Sequence, residues 1–145
     1  MSVTRTSSVS SASVWSRDYG RPTIVVASVL AALVANLVLW LVGLLAGGSF
    51  EHTDAGAIVS AAPGGVVLMT VVPLAAGLTV AALLSLWWNP IVRIAQVVGA
   101  LLPLATIAGT LSADFDAAST VMLVLMHVVI AAVAVLGLEK MRVRI

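Results

Sequence analysis

The chain has 145 residues, of which 61% are hydrophobic and 9% charged, with a net charge of +1 and no cysteine. Soluble domains average about 45–50% apolar and about 25% charged residues, so this composition indicates one domain whose solvent is lipid. The absence of cysteine excludes disulfides, thiolate metal sites and a cysteine nucleophile, and the small net charge gives no basis for nucleic-acid binding.

A polar, Ser/Thr-rich segment occupies residues 1–22, and its low hydrophobicity predicts a disordered or interfacial tail. Four apolar segments follow, each close to the roughly 20 residues that cross a hydrocarbon core about 30 Å thick. The sequence therefore predicts an all-α integral membrane protein, a four-transmembrane-helix bundle with a basic tail at 139–145 and with spans at about 23–46, 66–88, 91–112 and 119–138.

The longest loop, residues 47–65, separates spans one and two. It contains the polar stretch Glu51, His52 and Asp54, and then a short apolar run. The run is too short to span a membrane, so a strand-like cover, an interfacial helix turn and a re-entrant segment are all compatible with it. We favour a short, ordered extracellular cap that lies on the bundle.

The basic residues indicate the orientation. With four spans, all seven basic residues fall on one side of the membrane. The acids of the two loops between spans one and two and between spans three and four fall on the other side. The positive-inside rule then predicts a multi-pass protein of the plasma membrane with both termini in the cytoplasm. The seven basic residues are Arg5, Arg17, Arg21, Arg93, Lys140, Arg142 and Arg144.

Polar side chains inside the spans are candidate sites, because a polar group in lipid needs a partner. His127 is the only ionisable residue in the interior of a predicted span, since Arg93 lies at the start of span three. Asn36 lies at a similar depth, and Thr106 and Thr70 lie somewhat shallower. The four residues are predicted to form either an interhelical polar cluster or a ligand-binding site. His127 is interpreted first as a neutral hydrogen-bond partner, with ligand contact, proton handling or metal ligation as alternatives.

No metal site or cofactor is predicted. No second histidine or acid shares the depth of His127, and the acids lie at the membrane surface. The outer acids with His52 could coordinate calcium or magnesium through oxygen ligands, but their spacing matches no known loop, and a solvated acidic rim is the commoner arrangement.

Two further features concern helix shape. Gly43 and Gly47 form a GxxxG pair, which predicts close helix packing. Pro73 and Pro103 lie near the middle of spans two and three and predict kinks, because proline removes one helical hydrogen bond. Threonines such as Thr70 or Thr106 would help to satisfy the freed carbonyls.

The chain contains four further short motifs: Leu39-Trp40-Leu41, Pro63-Gly64-Gly65, Pro103 and Leu125-Met126-His127-Val128-Val129. With these motifs it resembles a family of small four-span membrane proteins from actinobacteria to which no chemistry is assigned. The resemblance covers residues 33–138. It implies four helices and draws attention to His127 without giving it a role.

No catalytic constellation can be recognised, because there is no G-x-S-x-G motif and no acid–base pair at one depth. We therefore predict that the protein is not an enzyme but a non-catalytic scaffold or accessory subunit of a membrane assembly, formed with itself or with a larger envelope complex. The alternative is a binder or carrier of a small apolar or amphipathic ligand, in an outward-facing cavity lined by His127 and Asn36.

The predicted orientation can be tested with single introduced cysteines. Cysteine at Ser49 or Ala118 should react with a membrane-impermeant thiol reagent added outside intact cells, and cysteine at Ser7 should react only after the cells are opened. The opposite labelling pattern would overturn the orientation.

Overall fold

The computed structural model describes residues 20–61 and 63–143. The predicted tail therefore lies outside the described residues up to position 19, as do the last two residues of the chain. The elements are α1 (Arg21–Leu45), β1 (Glu51–Asp54), β2 (Ala57–Ser60), α2 (Gly64–Leu84), α3 (Ile91–Ser112) and α4 (Ala117–Arg142). All four helices are long and apolar enough to cross a membrane.

The helix ends differ from the predicted spans mainly at α2 and α4. α2 ends at Leu84, short of residue 88, and its last turn gives way to turns that lead to Asn89-Pro90. α4 continues to Arg142, through residues expected to form a tail. Glu139 and Arg142 form an ion pair three residues apart, and this spacing supports a helical last turn.

The prediction of an all-α chain is wrong in one place, because the loop after α1 contains a β-hairpin. Its strands pair antiparallel, from Glu51 opposite Ser60 to Asp54 opposite Ala57. Ala55 and Gly56 form the two-residue turn with φ values of 50° and 85°. Positive φ at both positions matches a type I′ turn, whose twist suits a tight hairpin. The second strand contains Ile58 and Val59, and β-branched residues of this kind favour strands.

Helix packing is uneven. α4 makes its most extensive contacts with α3 and α1, α2 packs mainly on α1, and α2 touches α3 and α4 only sparsely. A core cluster around Leu78, Leu138 and Met141 lies towards the end where α1 begins, and a second one around Phe50 and Met126 lies towards the hairpin. Both predicted kink positions, Pro73 and Pro103, lie inside helices that continue past them.

Candidate functional site

The first part of the predicted polar cluster is present as a direct contact between α1 and α2. The side-chain amide nitrogen of Asn36 donates to the hydroxyl of Thr70 at 2.8 Å. Both side chains are almost fully buried, with exposures of 1% and 2%. The bond therefore fixes α1 against α2 in the interior of the bundle. The carbonyl oxygen Oδ1 of Asn36 has no hydrogen-bond partner among the described residues.

His127 makes its hydrogen bond within its own helix. Its Nδ1 lies 2.7 Å from the carbonyl oxygen of Leu123. A carbonyl can only accept, so Nδ1 carries the hydrogen and donates it. The ring is half-buried, and no hydrogen bond between described residues joins it to Asn36. The contact therefore lies within α4, to the carbonyl one turn earlier, and does not join α4 to another helix.

Thr106 is separate from these residues. It is exposed on α3, and its hydroxyl donates to the carbonyl of Pro103 at 2.7 Å. That carbonyl belongs to the proline itself. The carbonyl freed by Pro103 is the one four residues earlier, on Gly99. Of the four predicted residues, the structure joins only Asn36 and Thr70 by a hydrogen bond.

The two glycines of the GxxxG pair have different surroundings. Gly43 is buried at a close contact, where an added Cβ would lie 2.4 Å from the Phe50 ring and 3.0 Å from Met122 of α4. Gly47 follows the end of α1 with a φ of 87°, and an added Cβ would have no atom within 4 Å. Gly43 thus makes room for the aromatic ring beneath the hairpin, and Gly47 serves the turn.

A set of polar residues at the start of α4 holds the hairpin, and we call Asp114, Asp116 and Ser119 the hairpin anchor. Asp116 is the N-cap of α4, with Oδ1 accepting from the backbone amide of Ser119 at 2.8 Å. Its Oδ2 accepts from the Ser119 hydroxyl at 2.7 Å, and from the amide and hydroxyl of Ser49 at 2.8 and 2.9 Å. One carboxylate therefore caps a helix and fastens the chain that leads into β1.

The other anchor residues continue this contact along the hairpin. The hydroxyl of Ser119 accepts from the amide of Phe50 at 2.8 Å, and Asp114 Oδ1 accepts from the amide of Thr53 at 2.8 Å. The ring of His52 packs against that of Phe115, with centroids 4.6 Å apart. The short loop before α4 therefore supports β1 along its length.

These hydrogen bonds determine the electrostatics of the anchor. The backbone amide of Ser119, then its hydroxyl and the amide of Ser49, hold the pKa of Asp116 well below its ordinary value of 3.8. The backbone amide of Thr53 is the main cause that lowers the pKa of Asp114. Hydrogen bonds to a carboxylate favour its charged form, so both groups stay ionised at neutral pH.

A second polar contact lies at the opposite end of the bundle. Gln96 of α3 donates to Glu139 of α4 at 2.8 Å, and Glu139 also accepts from Nε of Arg142 at 2.9 Å. Hydrogen bonds thus fasten α3 to α4 at the end away from the hairpin. Sequence reasoning missed Gln96, although a glutamine inside an apolar segment was a visible signal.

Among the grooves on the surface of the described helices are two that are lined by neither Asn36 nor His127. One lies between α1 and α4 with a volume of about 590 Å³, and the other between α2, α3 and α4 with a volume of about 460 Å³. Among residues 20–61 and 63–143, no group of three or more His, Asp or Glu residues is placed to hold a metal ion.

A known protein family covers most of the chain. The model of a family of unknown function, DUF6069, matches residues 17–144. The chain belongs to this family. The match confirms the expected relation to a family without assigned function, and it extends beyond the resemblance at residues 33–138 on both sides. No curated protein and no solved structure matches the chain significantly.

The role of Asp116 in this DUF6069 member can be tested with Asp116→Asn. Asparagine keeps one oxygen to cap α4, but its amide nitrogen cannot accept the hydrogen of Ser49. We expect faster amide hydrogen exchange in β1 and β2, with exchange in the first turns of α4 little changed. Asp54→Asn, which removes an exposed acid from the same hairpin, is the control and should leave exchange unchanged.

The same bond predicts a direction for pH dependence. Because the folded pKa of Asp116 is depressed, its stabilisation is complete above its unfolded pKa of about 3.8 and is lost as the pH falls below that value. Protection of the wild-type hairpin amides, measured relative to their intrinsic exchange rates at each pH, should therefore fall below about pH 4. The fall should be smaller in Asp116→Asn, and an equal response in both proteins would contradict the role of this carboxylate.

His127 and Asn36 should differ in their effects on stability. The Leu123 carbonyl is also the acceptor of the helical amide of His127, so His127→Leu should cost at most about 1 kcal/mol and His127→Gln still less. Asn36→Leu leaves the buried Thr70 hydroxyl without its donor and should cost more, about 1–2 kcal/mol. Unfolding in mixed detergent micelles, followed by circular dichroism, measures the difference. A larger loss from His127→Leu than from Asn36→Leu would contradict this ranking.

Proposed function

We propose that the protein is a non-catalytic accessory subunit or scaffold of a plasma-membrane assembly, and that it contacts its partner through the hairpin end. The observation that carries the proposal is an ordered hairpin, fastened to the bundle, that leaves apolar side chains exposed. Ile58 is 76% exposed and Val59 41% exposed. His52 pairs with Val59, so these two side chains lie on the same face of the hairpin. Because side chains alternate along a strand, Ile58 lies on the opposite face.

The fastening of the hairpin supports a binding role. A two-stranded hairpin alone is at best marginally stable in water. Here side chains of the hairpin anchor accept hydrogen bonds from the backbone amides of Ser49, Phe50 and Thr53, and these bonds hold β1 in a fixed position. β2, which carries the exposed apolar side chains, is held through its pairing with β1. A rigid surface loses little conformational entropy on association, which favours its use in an interface.

The polar side chains within the helices support a role without chemistry. Asn36 bonds to Thr70, His127 to a carbonyl of its own helix, and Gln96 to Glu139. Each of these contacts joins or stabilises helices. Catalysis would instead require a nucleophile or an acid–base pair arranged around one point.

The orientation follows from the distribution of charge over the two ends. The described basic residues lie where α1 and α3 begin and α4 ends, and the acids of the hairpin and its anchor lie at the other end. By the positive-inside rule, the hairpin is then outside the cell and both termini are in the cytoplasm. The basic residues are Arg21, Arg93, Lys140 and Arg142.

The test is the size of the assembly in membranes that naturally contain the protein, solubilised in mild detergent. We expect a species larger than the 14.8 kDa chain, and we expect Ile58→Asp to reduce it to the monomer, because a charge replaces an apolar contact. Ala55→Asp, which places the same charge at the turn, should leave the assembly intact. A wild-type protein that is strictly monomeric under these conditions would refute the proposal.

A further inference from the structure

The groove between α1 and α4 combines apolar walls with a positive charge at one end. Ala27 and Ala31 of α1 line it from one side, and Leu136 and Gly137 of α4 from the other. The helices approach closely where Gly137 meets Ser28, since an added Cβ on Gly137 would lie 2.6 Å from the Ser28 hydroxyl. The small alanine side chains beside this contact leave the groove open.

Lys140 lies at the mouth of the groove, at the end where α1 begins. Its side chain is exposed, and no salt bridge to it occurs within the described part of the chain. The neighbouring acid Glu139 is engaged with Arg142 and with Gln96 of α3. The ammonium group of Lys140 is therefore available to an anion, and Thr23 lines the same groove.

We propose that this groove binds an anionic phospholipid of the bilayer, with one acyl chain between α1 and α4 and the phosphate of the headgroup at Lys140. From Thr23 to Ala31 the groove runs for about 12 Å along α1, close to the roughly 15 Å of one leaflet. Its volume of about 590 Å³ lies in the usual range of ligand sites, roughly 300–1,000 Å³. Basic pockets between transmembrane helices are typical sites for anionic headgroups.

The second groove provides a contrast within the same molecule. It lies between α2, α3 and α4 and is lined by apolar residues alone, among them Leu78, Val98 and Leu102. With no charged group in its lining, it can receive lipid tails without distinguishing headgroups. The preference for an anionic lipid is thus assigned to the α1–α4 groove. The proposal requires only that the bundle lies in a bilayer, and it holds whichever end faces the cytoplasm.

The test is lipid binding to the purified full chain, measured by native mass spectrometry from detergent micelles. Dioleoyl phosphatidylglycerol and dioleoyl phosphatidylcholine have the same acyl chains and differ in headgroup charge. We expect one phosphatidylglycerol to bind about fivefold more tightly than phosphatidylcholine, which is the effect of one basic residue at a membrane surface. Lys140→Gln should remove this preference and leave the binding of phosphatidylcholine unchanged.

Two control variants separate the groove from general effects. Arg93→Gln removes one positive charge at the same end but outside the groove, and the preference should persist. Ala27→Leu fills the groove and should weaken phosphatidylglycerol binding, whereas Ala108→Leu, on the exposed surface of α3, should not. Equal binding of the two lipids by the wild type, a preference retained in Lys140→Gln, or an equal loss in Arg93→Gln would overturn the proposal.

Discussion

The carboxylate of Asp116 is the point on which the hairpin end depends. It accepts four hydrogen bonds, two from Ser119 and two from Ser49, and so joins the start of α4 to the chain that leaves α1. The Ser119 hydroxyl in turn accepts a hydrogen bond from the backbone amide of Phe50. Phe50 is fully buried, and its ring occupies the space above Gly43. One ionised group thereby organises a helix terminus, a strand and the aromatic packing between them.

The interior of the bundle is held by different means. Polar contacts fasten its two ends, through Asp116 near the hairpin and through Glu139 at the other end. Between them, Asn36 and Thr70 form a buried side-chain hydrogen bond, and residues around Leu78 and Leu138 form an apolar core. Hydrogen bonds between helices in membranes contribute only about 0.6 kcal/mol on average, so no single interior polar contact dominates the fold. α3, the least buried helix, depends mainly on α4.

The four helices could be predicted from the sequence because hydrophobic length is a direct physical requirement of a bilayer. The hairpin could not, since a short apolar run has the same composition in a strand, a turn of helix or a re-entrant segment. Asn36 and Thr70 were placed at suitable depths, but depth says nothing about the direction of a side chain around the helix axis. That rotation decides that Asn36 meets Thr70 and that His127 bonds within α4. Part of the hairpin anchor could be predicted, because an aspartate just before an apolar run, such as Asp116, is a typical helix N-cap. Its hydrogen-bond partner Ser49, 67 residues earlier in the chain, could not be predicted.

The separation in sequence between the hairpin and its anchor has a consequence for biosynthesis. Ser49 and Phe50 leave the ribosome long before Asp116 and Ser119, and two further helices are made in between. A two-stranded hairpin with alanine in a turn position that favours glycine or asparagine has little stability of its own. Its strands therefore lack these anchoring hydrogen bonds until the start of α4 has been synthesised. The hairpin is thus fixed late, by residues that follow three of the four helices in the chain.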